Sequence, residues 1–281
     1  MKPGALQATL FEALRSAGDL IRRRFGREQK ISFKNDSPIN LVTEVDQEAD
    51  RLIRRTIKRA FPGHDLLTEE SNATRNRSDY KWVVDPLDGT TNFAHHFPQV
   101  CVSIGIEYAG RIVMGGVYDP LRDELFWAAR GRGAWLVYKE IQTRIRVSSN
   151  RTLQSSLLLT GFPYDRRENA DLYLSYMKAF MSRNQGIRRA GAAALDLCWV
   201  ACGRVDGYWE WKLKPWDCAA GKIIVEEAGG RLSDFSGGRY SIYGEQTLAT
   251  NAHIHAEMLA IMSGLRRQAP DFSPVDRESK T

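Results

Sequence analysis

Residues 82–93 read WVVDPLDGTTNF and hold the densest chemistry in the chain. The apolar run Trp82-Val83-Val84 reads as a strand that delivers Asp85 at its end, Pro86 fixes a turn, and Asp88 follows three residues later. Two carboxylates so placed face one small volume. Like charges repel there, so one carboxyl keeps its proton or a cation sits between them. Oxygen ligands with no neighbouring His or Cys pattern suit a hard cation, Mg²⁺ ahead of Zn²⁺. Gly89-Thr90-Thr91-Asn92 suits a tight turn opening a helix, and the free backbone N–H groups of a helix start attract anions. A cation beside an anion site points to phosphate chemistry. The plain alternative is an Asp-Pro surface turn with an ordinary helix cap.

Other acids stand at element ends, where side chains can converge on a cleft. Glu69-Glu70 end the short strand Leu66-Leu67-Thr68, 16 residues before Asp85. Asp217 follows Trp216 at the opening of a helix, and Asp46 stands at another helix start, which it can cap. Taken singly, each reads as a plain N-cap or a solvated acid.

The elements that must position these acids follow from periodicity. Leu6, Leu10, Ala13, Leu14, Ala17, Leu20 and Ile21 keep helical spacing over about residues 5–25. A second helix carries Ala49, Leu52, Ile53, Ile57 and Ala60, and Pro62-Gly63 ends it. Residues 71–80 are polar and read as a mobile loop. Val100, Val102, Ile104 and Ile106 alternate as in a strand, and further strands over 112–118 and 125–128 fit an antiparallel meander. From about residue 150, strand and helix alternate: strands at 156–160, 206–211 and 248–250, helices at 168–182, 191–203, 216–228 and around Ile254 to Leu265. The expected fold class is α+β, with two halves at 1–148 and 149–266 and a disordered tail at 267–281.

The chain has 281 residues, 43% of them hydrophobic and 26% charged, which excludes wholesale disorder. No apolar run approaches the roughly 20 residues of a bilayer span, and the first 20 residues read as an amphipathic helix in place of a signal peptide. The net charge of +6 is scattered and reads as a solvated surface; it permits a nucleic-acid or transcription partner without indicating one. Cys101, Cys198, Cys202 and Cys218 form no C-x-x-C pair and read as packing thiols, which favours a reducing, cytoplasmic setting. Cys101 to Gly105 nearly fits a nucleophile elbow, but Cys replaces the first Gly and the alternation is that of a strand interior. No phosphate-binding lysine loop and no dinucleotide glycine fingerprint is present. His95-His96 read as loop residues. Trp209, Trp211 and Trp216 read as core or dimer packing.

Glu69-Glu70-Ser71, then DPLDGTTNF, then PWDCAAGKIIVEEAGG at 215–230 resemble the inositol monophosphatase family. These are Mg²⁺-dependent, lithium-sensitive phosphatases, a group that includes fructose-1,6-bisphosphatases. The tract RRAGAAALDLCWVACGRVDGYWEW at 188–211 is similar to the family's substrate-side segment. The resemblance runs from about residue 5 to 265 with all motifs in order. It implies a layered α-β-α-β-α fold with an antiparallel N-terminal sheet and a mixed C-terminal sheet. It implies two or three Mg²⁺ ions held by Glu69, Asp85, the Leu87 carbonyl, Asp88 and Asp217, with Glu70 outside the ligand set. It further implies that Thr90 and Asp46, with Glu69, serve the attacking water, and that Gly89 and Thr90 cradle phosphate. Asp88, Asp217, Ala193 and Glu210 would contact the substrate. Metal-activated water would attack phosphorus in line, with no covalent phosphoenzyme.

The implied function is hydrolysis of inositol 1-phosphate or a related small polyol or sugar phosphate by a homodimer. Histidinol phosphate, fructose 1,6-bisphosphate or a nucleotide 3′-phosphate would use the same chemistry. A reading of another class is a regulatory role in binding RNA or protein, with phosphatase activity secondary. Three departures from the family stand out. Asn40 replaces a usual Asp, Ala192 replaces a common Ser or Thr, and the stretch after Gly133 lacks the usual Asn-Gly hairpin turn.

Overall fold

The apolar stripe from Leu6 to Ile21 folds as α1 (Pro3–Arg24), and every residue of the stripe is buried. The computed structural model describes residues 3–28, 30–33, 39–71, 73–74 and 76–268. Beside α1 lies α2 (Glu44–Ala60), which buries Val45, Ala49, Ile53 and Ile57. The cap of α2 differs from the expectation. Thr43 is the N-cap and its Oγ1 accepts from Val45 N, while the Asp46 carboxylate reaches back to Thr43 N at 2.8 Å. The acid three residues inside the helix completes a reciprocal capping box, which leaves the cap itself to the smaller hydroxyl.

Both helices cover one face of a seven-stranded sheet. Its strands run in spatial order β3 (Asp65–Thr68), β4 (Tyr80–Asp88), β5 (Cys101–Tyr108), β6 (Arg111–Asp119), β7 (Glu124–Ala129), β8 (Ala134–Tyr138) and β9 (Ile141–Ile145). The ladder is antiparallel from β4 to β9, and β3 joins its edge in parallel with β4. A two-stranded ladder, β1 (Ile31–Phe33) with β2 (Leu41–Thr43), stands apart. The strand expected to end on Asp85 continues to Asp88. Asp85 pairs with Ser103 and Asp88 with Cys101, so the register slips by one residue between them. Pro86 has no N–H to give to a ladder, and the bulge absorbs it. The hairpin joining β8 to β9 forms without Asn-Gly, because Lys139 and Glu140 both take positive φ, 48° and 62°.

The second sheet has the spatial order β11 (Gly186–Arg188), β10 (Leu157–Thr160), β12 (Gly207–Trp211), β14 (Gln246–Thr250) and β13 (Arg231–Ser233). Its pairing is mixed: β10 lies parallel to β11 and β12, and the rest are antiparallel. On its outer face α4 (Ala170–Met181) and α7 (His255–Gln268) bury Tyr173, Tyr176, Phe180, Met258 and Met262 against Trp209 and Trp211. Between the two sheets lie α5 (Ala193–Ala201) and α6 (Pro215–Glu227), which share one core with Val83, Val117 and Phe126 of the first sheet and Leu159, Tyr208 and Ala249 of the second. The order of layers is therefore helix, sheet, helix, sheet, helix.

Two local readings change. In the stretch read as a mobile loop, Thr74 N bonds to Leu66 O at 2.9 Å and Asn76 N to the Asp65 carboxylate, which ties the described part of 71–80 to β3. Of the tail, Arg267 and Gln268 belong to α7, and residues 269–281 lie outside the described residues. Cys101, Cys198 and Cys218 are buried in the middle core and all four thiols are free. No helix among the described residues is long and apolar enough to cross a membrane.

The middle layer sits close because the sheet beneath it carries glycine. A Cβ at Gly105 would fall 2.6 Å from Ala219 Cβ, and one at Gly115 would fall 2.8 Å from Ala220 Cα. Backbone atoms cannot give way, so Gly115→Val destabilises the fold by about 3 kcal/mol through overpacking. The fall in urea midpoint measures it, and an unchanged midpoint would show that α6 does not press on the sheet.

Candidate active site

The acids found in the sequence meet at the ends of elements. One cavity of about 700 Å³ is lined by Glu69 after β3, by Asp85, Leu87 and Asp88 of the bulged end of β4, and by Gly89 and Thr90. From the second half come Ala193 at the start of α5, Glu210 of β12 and Asp217 in the first turn of α6. Asp46 does not line it. It stands one bond behind, where its Oδ1 accepts from Thr90 Oγ1 at 2.8 Å. Glu70, His95 and His96 do not line the cavity either.

Asp85, Asp88 and Asp217 are each anchored through one oxygen. Leu87 N donates to Asp85 Oδ1 at 3.0 Å, and Lys214 N donates to Asp217 Oδ2 at 2.7 Å. Asp88 Oδ2 accepts from Ala194 N at 2.8 Å, with the Cys101 thiol 3.6 Å away. The second oxygen of all three has no hydrogen-bond donor among the described residues. Burial, then the charges of Glu69, Asp88 and Asp217, push the Asp85 carboxyl well above the usual range. Burial pushes Asp88 up to about 7, and burial with the charge of Asp88 pushes Asp217 well up.

Asp88 has a second task. The N-cap of α5 is Ala192, which has no side chain to receive the first N–H groups of the helix. The Asp88 carboxylate receives that of Ala194 instead. An acid from the first half thus caps a helix of the second. This accommodates the missing Ser or Thr at position 192.

Gly89 adopts φ 92°, and a Cβ there would lie 2.7 Å from Gln99 O, so the turn between β4 and α3 (Thr90–Ala94) requires glycine. The Thr90 hydroxyl lies 2.8 Å from Asp46 Oδ1 and 3.1 Å from Leu87 O. It has one proton, so donating to Asp46 leaves its lone pairs and the Leu87 carbonyl open to other partners. Burial raises the Asp46 carboxyl against the hydrogen bonds from Thr43 and Thr90 that favour its charged form.

On the substrate-side wall, Glu210 is partly buried and lines the cavity. Burial pushes its carboxyl up to about 7, against the bond from the Tyr208 hydroxyl and the charge of Arg189. Its space exists because residue 161 is glycine: a Cβ there would meet Glu210 Oε2 at 1.9 Å.

Several participants were not legible in the sequence. Asn92 Nδ2 donates to Gln99 O at 2.8 Å and to Ala190 O at 2.9 Å, which ties the α3 turn to the loop before α5. Arg166, Arg189, Lys212 and Lys214 bring positive charge to the cavity. Asp165 receives Lys212 Nζ at 2.9 Å and the Tyr173 hydroxyl at 2.7 Å. These bonds outweigh burial and hold the Asp165 carboxyl below its usual range. Trp216 and Trp211 also line the cavity, whereas Trp209 is packed wholly in the outer core. The one available signal was the tract at 188–211, which is similar to the family's substrate-side segment and supplies Arg189, Ala193, Glu210 and Trp211 to this wall.

Among known proteins, the Nus factor SuhB of Pseudomonas aeruginosa is 46% identical over 230 residues, 80% of this chain and 83% of that protein. The crystal structure of extragenic suppressor protein suhB from Bartonella henselae matches with a TM-score of 0.87 at 38% identity, covering 92% of this chain and 98% of that one. The structure of inositol monophosphatase from Anabaena (Nostoc) matches with a TM-score of 0.82 at 39% identity, covering 94% and 97%. The pattern shared by the inositol monophosphatase family extends over residues 4–266, and the chain belongs to that family.

Proposed function

We propose that this protein is a Mg²⁺-dependent phosphomonoesterase that hydrolyses inositol 1-phosphate or a related small polyol or sugar phosphate. The observation that carries the reading is the meeting of Glu69, Asp85, Asp88 and Asp217 in one cavity beside the Gly89-Thr90 turn. The donor set fits a hard divalent cation. Three carboxyls resist ionising together, and each keeps one oxygen without a donor. No three His, Cys, Asp or Glu side chains among the described residues close into a ready metal cage. Mg²⁺ retains water and takes ligands from substrate phosphate, so it does not require a complete protein cage.

Glu69, Asp85, the Leu87 carbonyl, Asp88 and Asp217 would hold the two or three ions. Bound there, Mg²⁺ supplies Lewis acidity, lowering the pKa of water and offsetting phosphoryl charge. Thr90, its proton committed to Asp46, accepts a hydrogen bond from the attacking water and orients it. The N–H groups of Gly89 and Thr90 donate hydrogen bonds to the phosphoryl oxygens. Glu210 accepts hydrogen bonds from hydroxyl groups of the leaving alcohol, which supports a polyol, and Ala193 keeps that wall shallow. Lithium sensitivity, a homodimer and a cytoplasmic setting belong to the same reading and rest on the family. Histidinol phosphate, fructose 1,6-bisphosphate and nucleotide 3′-phosphates fit the same chemistry.

A second reading has its own support. A relative named a Nus factor is 46% identical, and the chain carries a net charge of +6. A binding role in transcription would survive Asp85→Asn, whereas phosphatase function would not.

Asp85→Asn and Asp217→Asn each lower kcat for inositol 1-phosphate at least about 10³-fold, as does EDTA in the wild type, with Mg²⁺ restoring the latter. Wild-type turnover in either variant would remove the metal assignment. Without metal, Asp88 and Glu210 titrate near 7 when folded and near 4 when unfolded. The native state then binds more protons between those values, so stability falls as pH rises from about 4 to about 7. Scanning fluorimetry in EDTA reads this as a falling Tm that saturating Mg²⁺ flattens. A Tm that rises over the same range would contradict the buried-carboxylate account.

A further inference from the structure

Helix α2 buries two carboxylates one turn apart, and the chemistry above uses only one of them. Asp46 receives the Thr90 hydroxyl at 2.8 Å. Asp50 does not line the cavity and is 3% exposed. Its Oδ2 accepts from Ser71 Oγ at 2.9 Å, with a guanidinium nitrogen of Arg54 3.6 Å away. Its Oδ1 is buried and has no donor among the described residues. Burying a carboxylate is costly, and an oxygen left without a donor raises that cost. A group kept at such a cost, on a helix face built from Val45, Ala49, Ile53 and Ile57, calls for a role beyond packing.

That role lies in the turn which Asp50 holds. β3 and β4 run parallel, so Glu69 and Asp85 emerge at the same end of the sheet. Asp85 is fixed within the ladder by its pairing with Ser103, whereas Glu69 stands in the turn just past Thr68, the last paired residue of β3. Ser71 gives its single hydroxyl proton to Asp50, so the Thr68 hydroxyl, 2.7 Å away, donates to Ser71 Oγ. Thr68, Ser71 and Asp50 thus form one directed chain of hydrogen bonds, with Glu69 and Glu70 looped between its first two members. One rigid helix therefore fixes both turns that flank the acids, that of Glu69 through Asp50 and that of Thr90 through Asp46.

We propose that Asp50 and Ser71 are positioning residues for the divalent-ion site: their hydrogen bond holds the turn that aims the Glu69 carboxylate, and metal affinity depends on it. Neither residue lines the cavity, so the effect passes through Glu69. The inference rests on the metal assignment above and extends it to residues outside the ligand set.

The test measures Mg²⁺ binding by calorimetry, without substrate, in the wild type, Ser71→Ala, Ser71→Thr, Asp50→Ala and the double alanine variant. In Ser71→Ala the Kd for Mg²⁺ rises about tenfold or more, the usual scale for a residue that orients a metal ligand. Ser71→Thr keeps the hydroxyl and recovers most of the affinity. Asp50→Ala costs about as much as Ser71→Ala, and the double variant costs no more than either, because all three lose one contact. The Mg²⁺ concentration for half-maximal hydrolysis of inositol 1-phosphate rises in step. An unchanged Kd in Ser71→Ala overturns the proposal even where the variant melts lower, since a bond that only braces the fold shifts Tm alone. Additive losses in the double variant overturn it too, because they put the two residues on separate routes. Should Asp50→Ala not fold, Ser71→Ala against Ser71→Thr decides the matter. If the wild type binds Mg²⁺ but hydrolyses no phosphomonoester, the phosphatase reading fails and the same calorimetry still decides the inference. If the wild type binds no Mg²⁺, the metal assignment and the inference fall together.

Discussion

Repulsion among Glu69, Asp85, Asp88 and Asp217 is the constraint around which the rest of this structure is organised. Four acids share one cavity, Asp85 and Asp88 of them buried, so their charges are screened less than at an open surface. The burial of Asp85, Asp88 and Asp217 appears directly in carboxyls driven upward from their ordinary range. Such a site is costly as an isolated protein feature, and the proposed divalent ions would offset that cost.

The five layers exist to bring distant acids to one place while keeping each on a rigid support. Glu69 leaves the end of a parallel edge strand, Asp85 and Asp88 flank a bulge, and Asp217 lies in the first turn of a helix packed between the sheets. Glycines at 105 and 115 let that helix settle against the sheet. Asp85, Asp88 and Asp217 each then have one oxygen tied to a backbone N–H, which fixes the direction of the other. Positioning of this kind comes from main-chain geometry, so it tolerates wide variation in the surrounding side chains.

Much of this was legible in the chain because the signals are local. Helical spacing in α1 and strict alternation in β5 need only a short window, and the run from Asp85 to Asn92 carries its turn chemistry in its own residues. What escaped depends on partners far away. The bulge at Pro86 is defined by the register of β5, and β13 is three residues long and takes its identity from β14. The Asp165–Lys212 pair spans 47 positions, and the room for Glu210 comes from the absent side chain of Gly161. Position 46 shows the subtler case. The acid was recognised, but which of Thr43 and Asp46 serves as cap depends on where the helix begins, the least legible feature of any helix.

Asp88 answers to two masters. The oxygen bonded to Ala194 N caps the buried start of α5, and the same residue lines the cavity with the other acids. Replacing it would loosen a helix in one half of the molecule while altering charge in the other. Loss of function at this position therefore cannot be apportioned between architecture and chemistry. The same short bond ties the position of that carboxylate to the helix that follows the loop carrying Arg189.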